Sequence, residues 1–387
     1  MPFFIFFFNF MHYNGEHDRK GLFMKTIRKY IQLLFVVCAV FAATAAFDVS
    51  AQATETDPTD VTYTTTYVKE TIQMLPGETR MVSTIIPGDA TYESSDRDVV
   101  AVSNSGQMIG GKPGTCTVTQ TCRNEKTVYT VKVNGEVDLI VFAGQSNMCG
   151  SGGNASTAPR PDYGTAYEFD TTTKTKQLIL MKEPFGEGTN RNNGLETNFQ
   201  YSTKGTLVSA FCINYYKQTK TPVVGVTAAW GGSSTNTWLK RGLVKETQSR
   251  LKKAKKYLKK NNIKIRHIYM VWYQGESDGE KNLSASTYMS RMKKIYKKMK
   301  KTGVEKVFVI RIAHDAKHPG RNSTIMKAQK KLCAKNKNFV LVSKKASSFV
   351  KSYGKYYYDS VHLNQKALNI VGYEAGKAAG KYVKKLK

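Results

Sequence analysis

From residue 137 onward the apolar positions fall into two alternating patterns. Short, largely apolar runs at 139–142, 223–228, 266–272, 306–312 and 339–342, the first of them unbroken, read as strands of a buried sheet. Between and after them lie stretches in which apolar residues recur every three or four positions, as a helix buried along one stripe requires: 204–217, 243–260, 284–301, 323–335 and 364–381. In the second of these the stripe is Leu243, Thr247, Leu251, Ala254 and Leu258, with lysine pairs covering the opposite side. Strand–helix alternation predicts an α/β region at 137–387 with a parallel sheet and helices on both faces. The intervening 151–200, rich in Gly, Asn, Thr and Pro, reads as long loops over one edge of that sheet.

Upstream the pattern changes. Short β-rich runs at 71–75, 79–86, 99–103, 107–109, 115–121 and 127–133 are separated by turn residues such as Pro76-Gly77, Pro87-Gly88, Ser105-Gly106 and Lys112-Pro113-Gly114. Strands at this spacing predict a small all-β sandwich over 61–134. Its Leu75-Pro76-Gly77-Glu78-Thr79, Ser94-Ser95-Asp96, Val99-Val100-Ala101-Val102 and 110–118 stretches resemble the bacterial immunoglobulin-like group 2 domain, which implies a spacer or adhesive module without chemistry of its own. Residues 54–60 are polar and contain Pro58, as a linker does. Ahead of them Met24-Lys25-Thr26-Ile27-Arg28-Lys29, an apolar core over 31–46 and Ala51-Gln52-Ala53 read as a secretory signal cleaved near Ala53. The apolar core is shorter than the ~20 residues of a membrane span. Residues 1–23 then form an upstream extension, and the mature protein is expected to be secreted or associated with the cell surface.

Charge alters this picture little. The 59 Lys and Arg against 29 Asp and Glu give a net charge of +30, which raises nucleic acid as a partner. The lysines lie on solvated helix faces, however, and no zinc finger, recognition helix or aromatic RNA motif accompanies them. No nucleic-acid or membrane partner is expected, whereas contact with cell-wall or other polysaccharides through the basic surface and the β-sandwich is. Cys116 and Cys122 sit about 20 Å apart on an extended chain, and no disulfide framework or Cys-x-x-Cys pair is visible.

Chemistry gathers where the strands end. The run 139–142 stops at Gly144, and Ser146 follows two positions later, where an open α/β sheet presents a nucleophile. Three further blocks follow: Trp230-Gly231-Gly232-Ser233-Ser234 and Tyr273-Gln274-Gly275-Glu276-Ser277-Asp278 after strands, and Asp359-Ser360-Val361-His362 before the last helix. A serine hydroxyl needs an imidazole to take its proton, the imidazole needs a carboxylate to fix its tautomer, and the oxyanion needs N–H donors. A competing nucleophile exists. Gly275-Glu276-Ser277-Asp278-Gly279 matches the Gly-x-Ser-x-Gly elbow of α/β-hydrolases, which would make Ser277 attack. An elbow should open a helix at once, and 280–283 reads as loop.

Together the four blocks, with Gly144-Gln145-Ser146-Asn147-Met148 first, resemble SGNH-type esterases. The branch is that of sialate O-acetylesterases and the acetyl xylan esterases of carbohydrate esterase family six, over roughly 137–383. The resemblance implies a three-layer α/β/α flavodoxin-like fold that removes acetyl groups from carbohydrates without a metal or other cofactor. By position it makes Ser146 the nucleophile, His362 the general base and then acid, and Asp359 the group that orients His362. The oxyanion donors it implies are the N–H of Ser146, an N–H within Gly231-Gly232 and the side-chain amide of Gln274. Gln145, Asn147, Glu276 and Asp278 would hold the surrounding loops, while Arg311, His314 and Gln329 are candidates to line the site. The rival readings are catalysis by Ser277, a lipid or thioester hydrolase on the same fold, and a non-catalytic glycan-binding surface protein.

Overall fold

The computed structural model describes residues 64–82, 90–122, 125–170, 177–186 and 204–386. The expected secretory signal and linker lie outside them. Among the described residues no helix is long and apolar enough to cross a membrane.

The first seven strands are β1 (Thr64–Met74), β2 (Thr79–Met81), β3 (Ala90–Ser94), β4 (Val100–Val102), β5 (Gln107–Gly110), β6 (Gly114–Cys122) and β7 (Glu125–Val133). They form a four-stranded sheet in the order β1-β7-β6-β3 and a three-stranded sheet in the order β2-β5-β4. All pairs are antiparallel except β1 with β7. The threonine-rich β6 buries Cys116, Val118, Gln120 and Cys122 and turns its threonines outward, so its period of two is what selects a strand. Met74, Val100, Met108, Val118 and Val131 from the two sheets share one small core.

After Asn134 and Gly135 the α/β region begins. Its elements are β8 (Glu136–Gly144), α1 (Ser146–Cys149), β9 (Ala166–Asp170), β10 (Gln177–Leu180), α2 (Val208–Thr219), β11 (Val223–Ala229), α3 (Thr235–Lys240), α4 (Leu243–Lys260), β12 (Lys264–Tyr273), α5 (Glu276–Glu280), α6 (Ala285–Lys300), β13 (Lys306–Ile310), α7 (Ser323–Lys335), β14 (Phe339–Ser343), α8 (Tyr353–Tyr356) and α9 (Gln365–Lys384). One seven-stranded sheet runs β10-β9-β11-β8-β12-β13-β14, parallel throughout except for β10. Residues 137–144 of β8 are all buried, because helices cover both faces. After β8 the chain builds β9, β10 and β11 on one side and then crosses to β12 on the other. That reversal opens a crevice at the carboxyl ends of β8 and β12, the position at which doubly wound sheets bind ligands.

The helices pack as the stripes require: α4 buries Leu243, Thr247, Leu251, Ala254 and Leu258. On α9, Gly372 and Gly376 let the helix settle against α2; a Cβ on Gly376 would lie 2.0 Å from the Phe211 carbonyl oxygen. Three expectations need correction. The stretch 151–200 is not loop throughout, since β9 and β10 extend the sheet within it. The helix expected at 204–217 starts at Val208, with Thr206 outside it giving its N–H (2.8 Å) and hydroxyl (2.9 Å) to Glu183. A helix does open directly after Gly275, spanning Glu276–Glu280, so that objection to Ser277 falls away.

Candidate active site

The two central strands end in matching turns. β8 stops at Gly144 with φ +159°, and a Cβ there would stand 2.1 Å from the Tyr273 carbonyl oxygen on β12. On β12, Gly275 has φ +156°. Each glycine leads into a short helix, with Ser146 opening α1 and Glu276 opening α5. Gln145 knits the two turns together. Its Oε1 accepts from the Gln274 side chain (3.3 Å), the Gly275 N–H (3.4 Å) and the Ser277 N–H (3.3 Å).

Beside them, after β11, Trp230 donates its N–H to the Gly144 carbonyl (3.0 Å) and Gly232 turns with φ +63°. Asp278 anchors this third loop, accepting from the Thr235 N–H (2.8 Å), the Thr235 hydroxyl (2.7 Å) and the Gln274 amide (2.6 Å). The fourth component is the turn before α9. Asp359 Oδ1 accepts the N–H groups of Val361 (2.8 Å) and His362 (2.7 Å), and Oδ2 meets His362 Nδ1 at 2.6 Å. Burial raises the Asp359 carboxyl, but the His362 side chain and those two N–H groups outweigh it, and the group stays below its usual range. With Nδ1 engaged, Nε2 is the nitrogen His362 can offer to a substrate.

Asn147, next to Ser146, joins these parts. Its Nδ2 donates to Glu276 Oε1 (2.8 Å) and to the Val361 carbonyl (3.2 Å), and its Oδ1 accepts the Leu363 N–H (3.0 Å). One fully buried amide thus grips the backbone on both sides of His362 and ties it to α1 and α5. Glu276 is 5 % exposed, and its Oε2 has no partner among the described residues. Burial pushes its carboxyl above the ordinary range, against the opposing effects of the Asn147 bond and the His362 charge.

These groups meet in a cavity of about 290 Å³ whose walls include Ser146, Gly232, Glu276, Ser277, Arg321 and His362. Two cavities elsewhere, of about 320 and 390 Å³, are larger, yet neither wall carries an imidazole. Convergent polar groups, not volume, single this one out. No hydrogen bond joins Ser146 Oγ to His362 among the described residues; such bonds commonly tighten only around substrate.

Several expected residues take other places. Gln274 is fully buried outside the cavity wall, with its amide given to Asp278, the Ser233 carbonyl (2.9 Å) and Gln145. It therefore braces loops instead of facing an oxyanion. Gly231 also lies off the wall, which Gly232 supplies. Gln329 donates to the Gln274 carbonyl (2.9 Å), Arg311 bonds Ser347, and His314 Nδ1 meets the Pro319 carbonyl (2.8 Å), so none of the three lines the cavity. Conversely Glu280, Asp315, Arg321 and Asn322 line it without having been anticipated. Their position in or beside the loops after β12 and β13 was the one available signal. Among the described residues no group of three or more His, Cys, Asp or Glu could hold a metal ion.

Similar solved structures include a protein from Arabidopsis thaliana, 19% identical over 63% of this chain and 97% of that one, with a TM-score of 0.48. A carbohydrate acetylesterase from Xanthomonas citri is 12% identical over 80% of this chain and 72% of that one, with a TM-score of 0.40. NanS is 15% identical over 66% and 99%, with a TM-score of 0.44. No curated protein matches the chain. Residues 136–381, nearly the whole α/β region, match the model of one family. The chain belongs to that family, the carbohydrate esterases described as sialic acid-specific acetylesterases.

Proposed function

We propose that the protein is an exported carbohydrate O-acetylesterase that removes acetyl groups from a polysaccharide or a sialic acid through an acetyl-enzyme on Ser146. His362 Nε2 accepts the Ser146 hydroxyl proton as Oγ attacks the acetyl carbonyl, and Asp359 holds the imidazole in the required tautomer. Ser146 opens α1, so its N–H has no acceptor within the helix and is available to the oxyanion, with an N–H of the Gly231-Gly232 turn as second donor. Collapse expels the sugar oxygen, which takes its proton from His362. Water, deprotonated by His362 in turn, then releases acetate.

The observation that carries this reading is the Asn147 clamp. Ser277 lines the same cavity, but the residues flanking His362 are bonded to the neighbour of Ser146. The β-rich residues 64–133 fit an immunoglobulin-like spacer, and the signal-like segment at Met24–Ala53 supports export.

Acetate release from 4-nitrophenyl acetate, acetylated xylan and O-acetylated sialic acid tests the proposal. Ser146→Ala should lower kcat by a factor on the order of 10⁶, and Ser277→Ala should leave it near wild type. The opposite result transfers the nucleophile to Ser277. Glycan binding without turnover of any ester makes the protein a lectin-like module.

A further inference from the structure

Across α5 from the catalytic cavity lies a second cavity, of about 390 Å³, whose wall includes Lys240, Arg241, Lys281 and Arg291. The helix divides the two. Glu276, Ser277 and Glu280 line the catalytic side, whereas Asp278 of the helix and Lys281, which caps its end, line the other. Asp278 is the one carboxylate on this wall. It is buried, its oxygens are engaged by Thr235 and Gln274, and Arg291 Nη1 stands 3.8 Å away. Lys240, Arg241 and Lys281 are exposed and form no ion pair among the described residues. Four cations thus border a cavity that offers them one carboxylate, already satisfied.

We propose that this cavity is an anion subsite, holding a carboxylate or phosphate carried by the same carbohydrate whose acetyl group enters the catalytic cavity. The inference rests on the esterase reading above and adds a substrate class: an acidic, O-acetylated oligosaccharide or polysaccharide. A helix with its side chains is about 10 Å across. The anion therefore sits on a sugar unit other than the one being deacetylated, which calls for a chain rather than a single acidic sugar. Exposed cations around such a cleft also concentrate a polyanionic substrate near it.

The test is the variant K240E/R241E/K281E, altered only at exposed positions outside the catalytic groups. With O-acetylated oligogalacturonides as probe, KM should rise about tenfold, each exposed charge contributing modestly, while kcat holds. Turnover of neutral O-acetylated xylo-oligosaccharides and of 4-nitrophenyl acetate should not change. Calorimetry of Ser146→Ala with unacetylated oligogalacturonide, with and without the three substitutions, reads the subsite directly. The same tenfold weakening is expected there, along with loss of affinity as salt rises. Tighter binding of poly(glycerol phosphate) by the same residues would identify phosphate as the natural anion. An unchanged KM, an equal KM change for neutral and acidic substrates, or single-stranded DNA binding as tightly as oligogalacturonide would overturn the proposal. Failure of the esterase reading is separate: no acetyl ester is then turned over, and calorimetry alone decides the subsite.

Discussion

Asn147→Ala is the sharpest perturbation of the site that leaves every candidate reacting group in place. The side chain is fully buried and makes hydrogen bonds to Glu276, to the Val361 carbonyl and from the Leu363 N–H. Each such bond contributes about 1 kcal/mol net, and a buried donor left without a partner costs a further ~1–3 kcal/mol. Here the Leu363 N–H is stranded, and Glu276, whose Oε2 already lacks a partner, loses the bond to Oε1 as well. The expected destabilisation is about 3–5 kcal/mol, measured by equilibrium urea unfolding. Catalysis should suffer separately. Val361 and Leu363 flank His362, and a displacement of about 1 Å in a catalytic group costs roughly 10²-fold in rate. In conditions where the variant is folded, kcat for 4-nitrophenyl acetate should fall by about that factor, with a smaller change in KM. Asn147→Asp keeps the acceptor for Leu363 but sets a carboxylate against Glu276, so it should do less harm at acidic than at neutral pH. A loss under about 1 kcal/mol with kcat intact would show that the clamp does not hold the site together.

Three other outcomes follow from the geometry. Glu276 has a carboxyl raised by burial, so its contribution to stability is full below the unfolded-state pKa and is lost as pH climbs through the folded-state value. Glu276→Gln cannot ionise and should gain in Tm on wild type as pH rises from acidic to neutral; a difference that stays flat contradicts this. Gly144→Ala would drive a methyl into the Tyr273 carbonyl and part β8 from β12 beneath Ser146. It should cost about 1–3 kcal/mol and most of the esterase activity, read by thermal unfolding and acetate release. Gly376→Ala presses on the Phe211 carbonyl, and neither residue lines the candidate catalytic cavity. It should lower Tm through the α2–α9 contact while leaving KM unchanged in protein that remains folded.

What could be read from the residues was what repeats locally. The apolar runs of β8, β11 and β12 and the lysine-backed stripe of α4 carry their period within themselves, and the structure places them within a few residues of expectation. Elements shorter than a period do not. α1 spans four residues and α5 five, and each exists because a glycine turn releases the chain at a strand end. β9 lies inside a Gly- and Asn-rich stretch and is a strand because β11 and β10 pair with it. The Asn147–Leu363 bond joins residues 216 positions apart, so nothing nearby in sequence announces it. Gln274 shows the limit of arguing from a motif: the block marks the residue, but the Asp278 carboxylate and the Ser233 carbonyl decide where its amide points.

The small sheets and the α/β region meet through more than a two-residue connector. Leu75, directly after β1, packs into the large core while Met74 belongs to the small one, and the Tyr167 hydroxyl donates to Glu78 at 2.6 Å. Within the connector itself, the Asn134 amide donates to the Gln73 side chain at 2.8 Å. A module fastened in this way does not swing like a tethered hook. Any surface that grips it also sets the heading of the crevice, so attachment and aim become a single property of the molecule. Heat should accordingly melt both parts in one transition.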